Sequence, residues 1–281
     1  MKYFLFFVTI VGLISVQCES PCEYVEYHHD GSVYFICNTV DGKKHGKGRY
    51  FYEDGRLGGE NYWVNDEKDG QEVLYYPNGN VEVIHHYQKG KLSGNYAVFE
   101  ESGDLERSGR YFNNKYFRYQ NIYRNGRLDR TVEAVLVGDT ATVLNNQILR
   151  FDPVSGIDHL TSNYFLYERM SNPVVVEQPF SVSLFLTSSG YPIDELGRVK
   201  VVVGDFDMYY NPIPGGVIDT LFFEEYFPAI DISRTFHEPG IHYIRGIILN
   251  GKRLIENRTG YRDNRLYFEY LVQVVDEGQA D

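Results

Sequence analysis

The stretch RYFYEDGRL, residues 49–57, places three aromatic residues immediately before an Asp-Gly pair. An aromatic strand followed by Asp-Gly and a second strand is a typical β-hairpin signal. Period-two alternation along the first strand would put Tyr50 and Tyr52 on one face and Phe51 on the other. The meaning of this hairpin depends on whether it is isolated or is one unit of a larger array.

The same pattern recurs every 24 residues along the first half of the chain. Each unit has a turn glycine that follows a turn-forming residue, with an aromatic residue four positions earlier: Gly31, Gly55, Gly79 and Gly103 follow Tyr27, Phe51, Tyr75 and Phe99. Further glycine and aromatic series keep this phase: Gly46, Gly70 and Gly94, then Trp63, Tyr87 and Tyr111. Such a unit holds two strands of ordinary length and two turns, the second expected near the second glycine series. The repeat therefore predicts hairpins stacked into one antiparallel meander.

The aromatic columns predict a candidate contact surface. Rings from successive hairpins would line up on one face of the sheet, where large amphipathic side chains cover the backbone and tolerate water. Two interpretations stay open: the rings hold the sheet together, or they form a tyrosine-rich binding face, since aromatic residues are enriched at recognition surfaces. The predicted binding residues are Tyr50, Tyr52, Trp63, Tyr76, Tyr87 and Tyr111.

The repeat units also resemble a known group. The stretches YFYEDGRLGGENYW and KDGQEVLYYPNGNVEVIHHYQKGKLSG are similar to MORN-type repeats, especially the bacterial variant found in YwqK-family antitoxins. The resemblance covers residues 24–128. It implies a hairpin array that serves as a scaffold or an interaction surface, and the antitoxin label implies neutralisation of a toxic partner by binding.

The N-terminus has the pattern of an export signal. One charge, Lys2, precedes an apolar run from Tyr3 to Val16 that is short for a membrane span, although a retained anchor is the alternative. We therefore expect a signal peptide over residues 1–18 and an exported protein that is periplasmic, outer-membrane-associated or secreted. The stretch ISVQC resembles a bacterial lipoprotein box in which Cys18 would be lipidated, while ordinary cleavage after Cys18 also fits.

With Cys18 removed or lipidated, Cys22 and Cys37 would be the remaining pair of cysteines. An exported protein meets oxidising conditions, so we expect a disulfide between them that pins the start of the mature chain. Closing this short loop would contribute about 3 kcal/mol. A two-cysteine metal site is the alternative, but the spacing is wider than zinc ligands prefer.

The 24-residue columns stop after Leu128, and the acidic excess lies mainly in residues 129–281. This part still has strand patterns separated by turn clusters, which favour a sandwich of two antiparallel sheets. The stretch FHEPGIHYIRG (236–246) resembles a late strand of immunoglobulin-like domains. Residues 138–170 fit either sandwich strands or a short helix.

The sequence thus predicts an all-β fold: antiparallel, MORN-like hairpin repeats over residues 19–128, then an immunoglobulin-like β-sandwich over residues 129–281.

The net charge of −12 argues against a nucleic-acid partner, because phosphate backbones attract basic surfaces. Asp205 and Asp207 in GDFDMYYN are weak candidates for a calcium site, since alternating carboxylates share a strand face. Solvated acidic residues at a sheet edge are the alternative.

The function predicted from these features is binding or scaffolding at the cell envelope, without catalysis and without a cofactor. The aromatic face would contact a protein or a glycan, and a membrane would be reached only through a lipid on Cys18. Two alternatives stay open. One is an antitoxin- or immunity-like protein that neutralises a toxic partner, and the other is a hydrolase that uses carboxylates in a groove between the two parts.

Overall fold

The structure is a computed structural model that describes residues 22–158, 162–167, 173–188, 199–223, 230–250 and 265–279. The expected signal peptide and the lipidation candidate Cys18 lie outside these residues. Within them the chain is built from β-strands, apart from a short 3-10 helix at Glu277–Gln279, and the all-β prediction is confirmed. None of the helical segments in the described ranges has the length and apolarity needed to cross a bilayer.

The strands of the described residues have the following bounds: β1 Cys22–Tyr27, β2 Val33–Val40, β3 Lys43–Phe51, β4 Leu57–Val64, β5 Glu67–Lys68, β6 Gly70–Tyr75, β7 Val81–Gln88, β8 Lys91–Leu92, β9 Gly94–Phe99, β10 Leu105–Phe112, β11 Lys115–Tyr116, β12 Arg118–Arg124, β13 Arg127–Val137, β14 Thr142–Asp152, β15 Gly156–Ile157, β16 Asn163–Tyr167, β17 Val174–Val175, β18 Pro179–Ser188, β19 Val199–Gly204, β20 Ile218–Phe223, β21 Ile230–Thr235, β22 Gly240–Asn250 and β23 Arg265–Val275.

Most of these strands form one long antiparallel sheet. Neighbours along the chain pair from β1 through to β14, and β16, β18 and β21 then extend the sheet. The two-residue strands β5, β8 and β11 are each followed after one residue by β6, β9 and β12, so each pair is a single strand with a kink. The predicted hairpin meander is therefore present.

The Asp-Gly, Asn-Gly and Ser-Gly pairs form the first turn of each repeat, as predicted. In the turn that contains Asp54, the Gly55 N–H donates to Tyr52 O at 2.8 Å, and the same bond recurs in the other three turns. Gly55 has φ +80, a left-handed conformation that glycine adopts without a steric penalty. The predicted aromatic column is present. In every repeat the aromatic residue before the turn pairs with the aliphatic residue two positions after the turn glycine; the aromatic residues are Tyr27, Phe51, Tyr75 and Phe99.

The second turn of each repeat lies before the second glycine series, not at it. Asn65 and Asp66 have φ +52 and +70, as in a two-residue type I′ hairpin turn, and residues 41–42, 89–90 and 113–114 have the same two signs. The second glycine series instead marks the strand kinks, with positive φ at Gly46, Gly70 and Gly94. Arg118 takes this position in the following unit, with φ +62.

A second sheet packs against the end of the long sheet. Its strand order is β17-β23-β22-β19-β20, and it is antiparallel except for the β17–β23 pair. Val201 and Phe268 on its inner face share a buried core with Phe180, Leu184 and Ile232 of the long sheet. The two-layer packing predicted for the second half is present, while its immunoglobulin-like assignment stays a prediction.

The expected domain boundary after Leu128 falls inside β13. This strand pairs with β12 through Tyr123↔Leu128 and with β14 through Arg130↔Arg150, so the sheet passes from the repeats into the second half without a linker. Within the described part of residues 138–170 the chain forms β14, β15 and β16, which favours the strand alternative over the helix.

The expected Cys22–Cys37 disulfide is not formed in this structure. Cys22 lies opposite Thr39, and Tyr24 lies opposite Cys37, so the two cysteines are diagonal neighbours on β1 and β2. Diagonal neighbours in a sheet lie about 7–8 Å apart, beyond the roughly 6.8 Å between Cα atoms that a disulfide usually spans. The strand register is therefore the physical reason why the two sulfur atoms do not meet.

Candidate interaction surface and junction cavity

The register of the repeats brings aromatic and lysine side chains together on one face of the long sheet. Residues opposite each other on paired strands share a face, and every second residue along a strand returns to it. Phe35 lies opposite Tyr50, and Trp63 lies opposite Lys68, on this face. We call this set the aromatic–lysine strip; it consists of Tyr24, Phe35, Lys44, Tyr50, Trp63, Lys68, Tyr87, Tyr96, Tyr111 and Tyr116.

Two lysines are inserted between the rings of the strip. Lys44 Nζ lies 4.5 Å from the ring centroid of Tyr24 and 4.8 Å from that of Trp63. Lys68 Nζ lies 5.9 Å from the centroid of Trp63 and 5.1 Å from that of Tyr87. The two lysines are one repeat apart, so the same cation–π arrangement occurs twice, and Trp63 lies between both ammonium groups.

Glu72 is the buried counter-ion of Lys68, and its side chain is only 5% exposed. Its Oε1 accepts hydrogen bonds from Lys68 Nζ at 2.5 Å and from Asn61 Nδ2 at 3.3 Å, and His85 Nδ1 lies 3.8 Å from Oε2. Burial alone would favour the protonated carboxyl, but these contacts outweigh it and lower the pKa of Glu72 to about 2. The carboxylate is therefore charged throughout the neutral range.

The far end of the strip is a cluster of tyrosines. The ring centroid of Tyr111 lies 4.8 Å from those of Tyr96 and Tyr116, and His85 packs against Tyr111 at 5.9 Å. Burial raises the pKa of Tyr96 to about 12, so its hydroxyl stays protonated at neutral pH. Tyr96 is itself buried, and this end of the strip exposes parts of the Tyr111 and Tyr116 side chains.

The predicted contact residues divide into two groups. Tyr50, Trp63, Tyr87 and Tyr111 lie on the strip. Tyr52 and Tyr76 lie at the turn edge of the sheet, where Tyr52 Oη donates to Tyr75 O at 2.5 Å and Tyr76 Oη donates to Phe99 O at 2.8 Å. Each of these bonds joins one hairpin to the next, so a substitution at Tyr52 or Tyr76 would report on sheet stability.

Sequence reasoning missed Lys44, Lys68 and Glu72. The two lysines are 24 residues apart, and this periodicity was the signal that could have found them. Glu72 carried no comparable signal, because its column contains glycine in the preceding unit, at Gly48, and tyrosine in the next, at Tyr96. Its role depends on burial and on its pairing with His85.

The weak metal candidates Asp205 and Asp207 bind their own loop. Asp205 Oδ2 accepts a hydrogen bond from Val217 N at 2.7 Å, and Asp207 Oδ1 accepts bonds from Tyr209 N and Asn211 N. Over the residues that the structure describes, no group of three or more His, Cys, Asp or Glu side chains is arranged to hold a metal ion. The structure therefore assigns these two carboxylates to local hydrogen bonds.

A cavity of about 240 Å³ lies where the long sheet meets the second sheet, lined by Phe117, Arg118, Ala134, Val135, Leu136, Met208, Tyr210, Tyr243, Arg245 and Glu269. At its polar end Arg118 Nη2 donates to Glu269 Oε1, and Arg245 Nε donates to Glu269 Oε2 at 2.7 Å. Burial favours the neutral form of Glu269, but the two guanidinium groups hold its pKa below the ordinary value. This ion triad ties β12 of the long sheet to β22 and β23.

A buried amide network lies behind the cavity. Glu133 Oε2 accepts hydrogen bonds from Asn146 Nδ2 at 2.6 Å and Gln147 Nε2 at 2.7 Å, and burial raises the pKa of Glu133. Asn146 also bonds to the backbone N–H and C=O of Tyr267, at 2.7 and 2.6 Å. Gln147 Oε1 accepts from Phe165 N at 2.9 Å. The network therefore joins β13 and β14 to both layers of the second half.

Comparison of the chain with protein-family models gives no match, and comparison with curated proteins gives none. The resemblance to MORN-type repeats accordingly stays a prediction from the residue pattern.

Proposed function

We propose that this chain is an exported, non-enzymatic binding or scaffolding protein of the bacterial envelope, and that it contacts its partner through the aromatic–lysine strip. One observation supports this most strongly: rings from successive repeats are kept in register on one face of the sheet, where Phe35 and Tyr96 are buried and the other rings of the strip stay partly accessible. Tyr24, for example, is 37% exposed, and Trp63 is intermediate between buried and exposed.

The strip is ordered by its own contacts before any partner arrives. Trp63 Nε1 donates to Asn61 Oδ1 at 2.7 Å, and Asn61 Nδ2 donates to Tyr50 Oη at 3.0 Å. Rings that are already fixed lose little conformational entropy on binding, which is the general advantage of a preorganised surface. Tyrosine and tryptophan also combine a large apolar area with a polar group.

The charges of the strip point to a partner that is not a polyanion. Lys68 is paired with Glu72, and Lys44 Nζ lies 3.4 Å from Glu26 Oε1. Both cations are thus compensated within the sheet, and the surface offers ring faces and hydroxyl groups rather than uncompensated positive charge. A protein surface or a glycan has the complementary chemistry of apolar C–H groups next to hydrogen-bonding groups.

Two consecutive residues on β4 provide a matched test. Trp63 belongs to the strip, and Tyr62 points to the opposite face and is 48% exposed. Each is replaced in turn by p-benzoylphenylalanine in the full-length protein, and whole cells of the native host are irradiated. We expect covalent adducts from position 63 and few from position 62.

Similar yields from both positions, or adducts from position 62 alone, would contradict the proposed surface. Mass spectrometry and glycan staining of the adducts from position 63 then identify the partner. Recovery of a toxic protein would support the immunity-type alternative instead of scaffolding. Recovery of an envelope protein or a glycan would support scaffolding.

A further inference from the structure

The junction cavity contains hydrogen-bond donors that the surrounding protein does not use. Arg118 bonds to Glu269 through Nη2, and its remaining guanidinium N–H groups make no hydrogen bond within the described ranges. The same is true of the Tyr210 hydroxyl. Its pKa is raised by burial and by the nearby Glu269 and Glu133 carboxyl groups, so this phenol keeps its proton and acts as a donor.

The principal acceptor at this end of the cavity is already engaged. Each carboxylate oxygen of Glu269 accepts from one arginine, and Arg245 donates through Nη1 to Phe206 O at 2.9 Å. Arg118 keeps 44% of its side chain exposed, so its guanidinium is accessible from solvent. A ligand that satisfies the unused donors must bring an oxygen acceptor, and a guanidinium group binds a carboxylate especially well.

The rest of the cavity is apolar, with Phe117, Leu136, Met208 and Tyr243 among its walls. Its volume of about 240 Å³ is below the range of about 300–1,000 Å³ that is usual for drug-sized ligands. The body of a ligand would therefore be small and apolar, such as one aromatic ring or a short alkyl chain.

The backbone at the two donor residues of the cavity is also strained. Arg118 and Tyr210, which supply the unused donors, have φ +62 and +58. A residue with a side chain pays a steric cost in this left-handed region, and such strain clusters at binding and active sites. The earlier repeats place glycine at the position of Arg118, so the strained arginine is a departure from the repeat pattern.

We propose that the junction cavity is a binding site for a small organic carboxylate with an apolar body. The carboxylate accepts hydrogen bonds from the Arg118 guanidinium and the Tyr210 hydroxyl, and the body packs against Phe117, Leu136 and Met208. This site is separate from the aromatic–lysine strip, so its test is independent of the proposed function.

Phenylacetate is the probe for the test, with the full-length protein titrated by calorimetry and by two-dimensional NMR of the backbone amides. We expect saturable shifts at the cavity residues.

Tyr210→Phe removes one hydroxyl and keeps the ring that packs 4.9 Å from Tyr267. This variant should weaken phenylacetate binding about fivefold, the effect of one hydrogen bond. Arg118→Gln should weaken binding at least tenfold, and Tyr62→Phe, on the opposite face of the long sheet from the strip, should leave it unchanged.

Phenylacetamide has nearly the same shape without the charge, so it should bind at least tenfold more weakly than phenylacetate. Equal binding of the two probes would overturn the assignment to carboxylates. Unchanged affinity in Tyr210→Phe, or the lack of saturable shifts at the cavity with phenylacetate, would overturn the site itself.

Discussion

Replacing Lys68 with methionine should destabilise the protein by about 3 kcal/mol at neutral pH, because the change leaves the buried Glu72 carboxylate without its cation. Methionine keeps the apolar stem between the rings of Trp63 and Tyr87, so the loss reports on the charge. Glu72 would retain Asn61 as a hydrogen-bond donor and His85 at 3.8 Å from Oε2, and neither replaces the hydrogen-bonded lysine cation. Urea unfolding followed by circular dichroism measures the effect.

Two companion variants isolate the ion pair. Lys91→Met removes an exposed lysine from β8 and should change the free energy of unfolding by less than about 0.5 kcal/mol. Adding Glu72→Leu to Lys68→Met should restore most of the lost stability, because an apolar pair can replace a buried ion pair. A cost for Lys68→Met no larger than that for Lys91→Met would contradict this role of Lys68.

The loss should also depend on pH, with a sign set by the lowered pKa of Glu72. A carboxyl whose pKa falls from 4.5 to about 2 on folding stabilises the native state fully above pH 4.5. That stabilisation disappears as the pH falls through about 2. The difference in unfolding free energy between the wild type and Lys68→Met should therefore shrink over this window.

Asn146→Ala should cost about 3 kcal/mol, since it removes three buried hydrogen bonds and leaves the Tyr267 N–H and C=O without their side-chain partner. Because Asn146 joins the long sheet to β23, the amide hydrogen of Tyr267 should also exchange faster with solvent. Chemical unfolding and hydrogen exchange measure the two effects.

The neighbouring Asn145 is the matched control for this prediction, because it is exposed on the same strand. Asn145→Ala should change the unfolding free energy by less than about 0.5 kcal/mol. If the two alanine variants were equally stable, the amide network would not be what joins the sheets.

The repeat part of the fold could be predicted because its determinants are local. Asp-Gly and Asn-Gly pairs specify turns within a few residues, and the 24-residue spacing shows that each turn belongs to the same kind of unit. These signals placed Trp63, Tyr87 and Tyr111 in one column, and the strand pairings keep them on one face.

The contacts that the sequence did not predict depend on the exact pairing register of the strands, or they join residues that are far apart in the sequence. Tyr52 and Tyr76 are tyrosines of the repeat, as Tyr50 is, so the sequence pattern does not separate them. They lie at the turn edge of the sheet, and there their hydroxyl groups donate to backbone carbonyls of the next hairpin. The expected disulfide is not formed in this structure, where Cys22 and Cys37 are offset by two residues between β1 and β2. Asn146 and Tyr267 are 121 residues apart, and no local pattern relates them.

The stacking of successive repeats in one register is the claim on which the strip and its proposed function depend. Lys68 tests it most directly, because its ammonium group lies between Trp63 of its own hairpin and Tyr87 of the next strand. Nuclear Overhauser spectroscopy should show contacts from the Lys68 methylene protons to both rings, with upfield ring-current shifts. Contacts to Trp63 alone, or shifts typical of a solvated lysine, would contradict the stacked register.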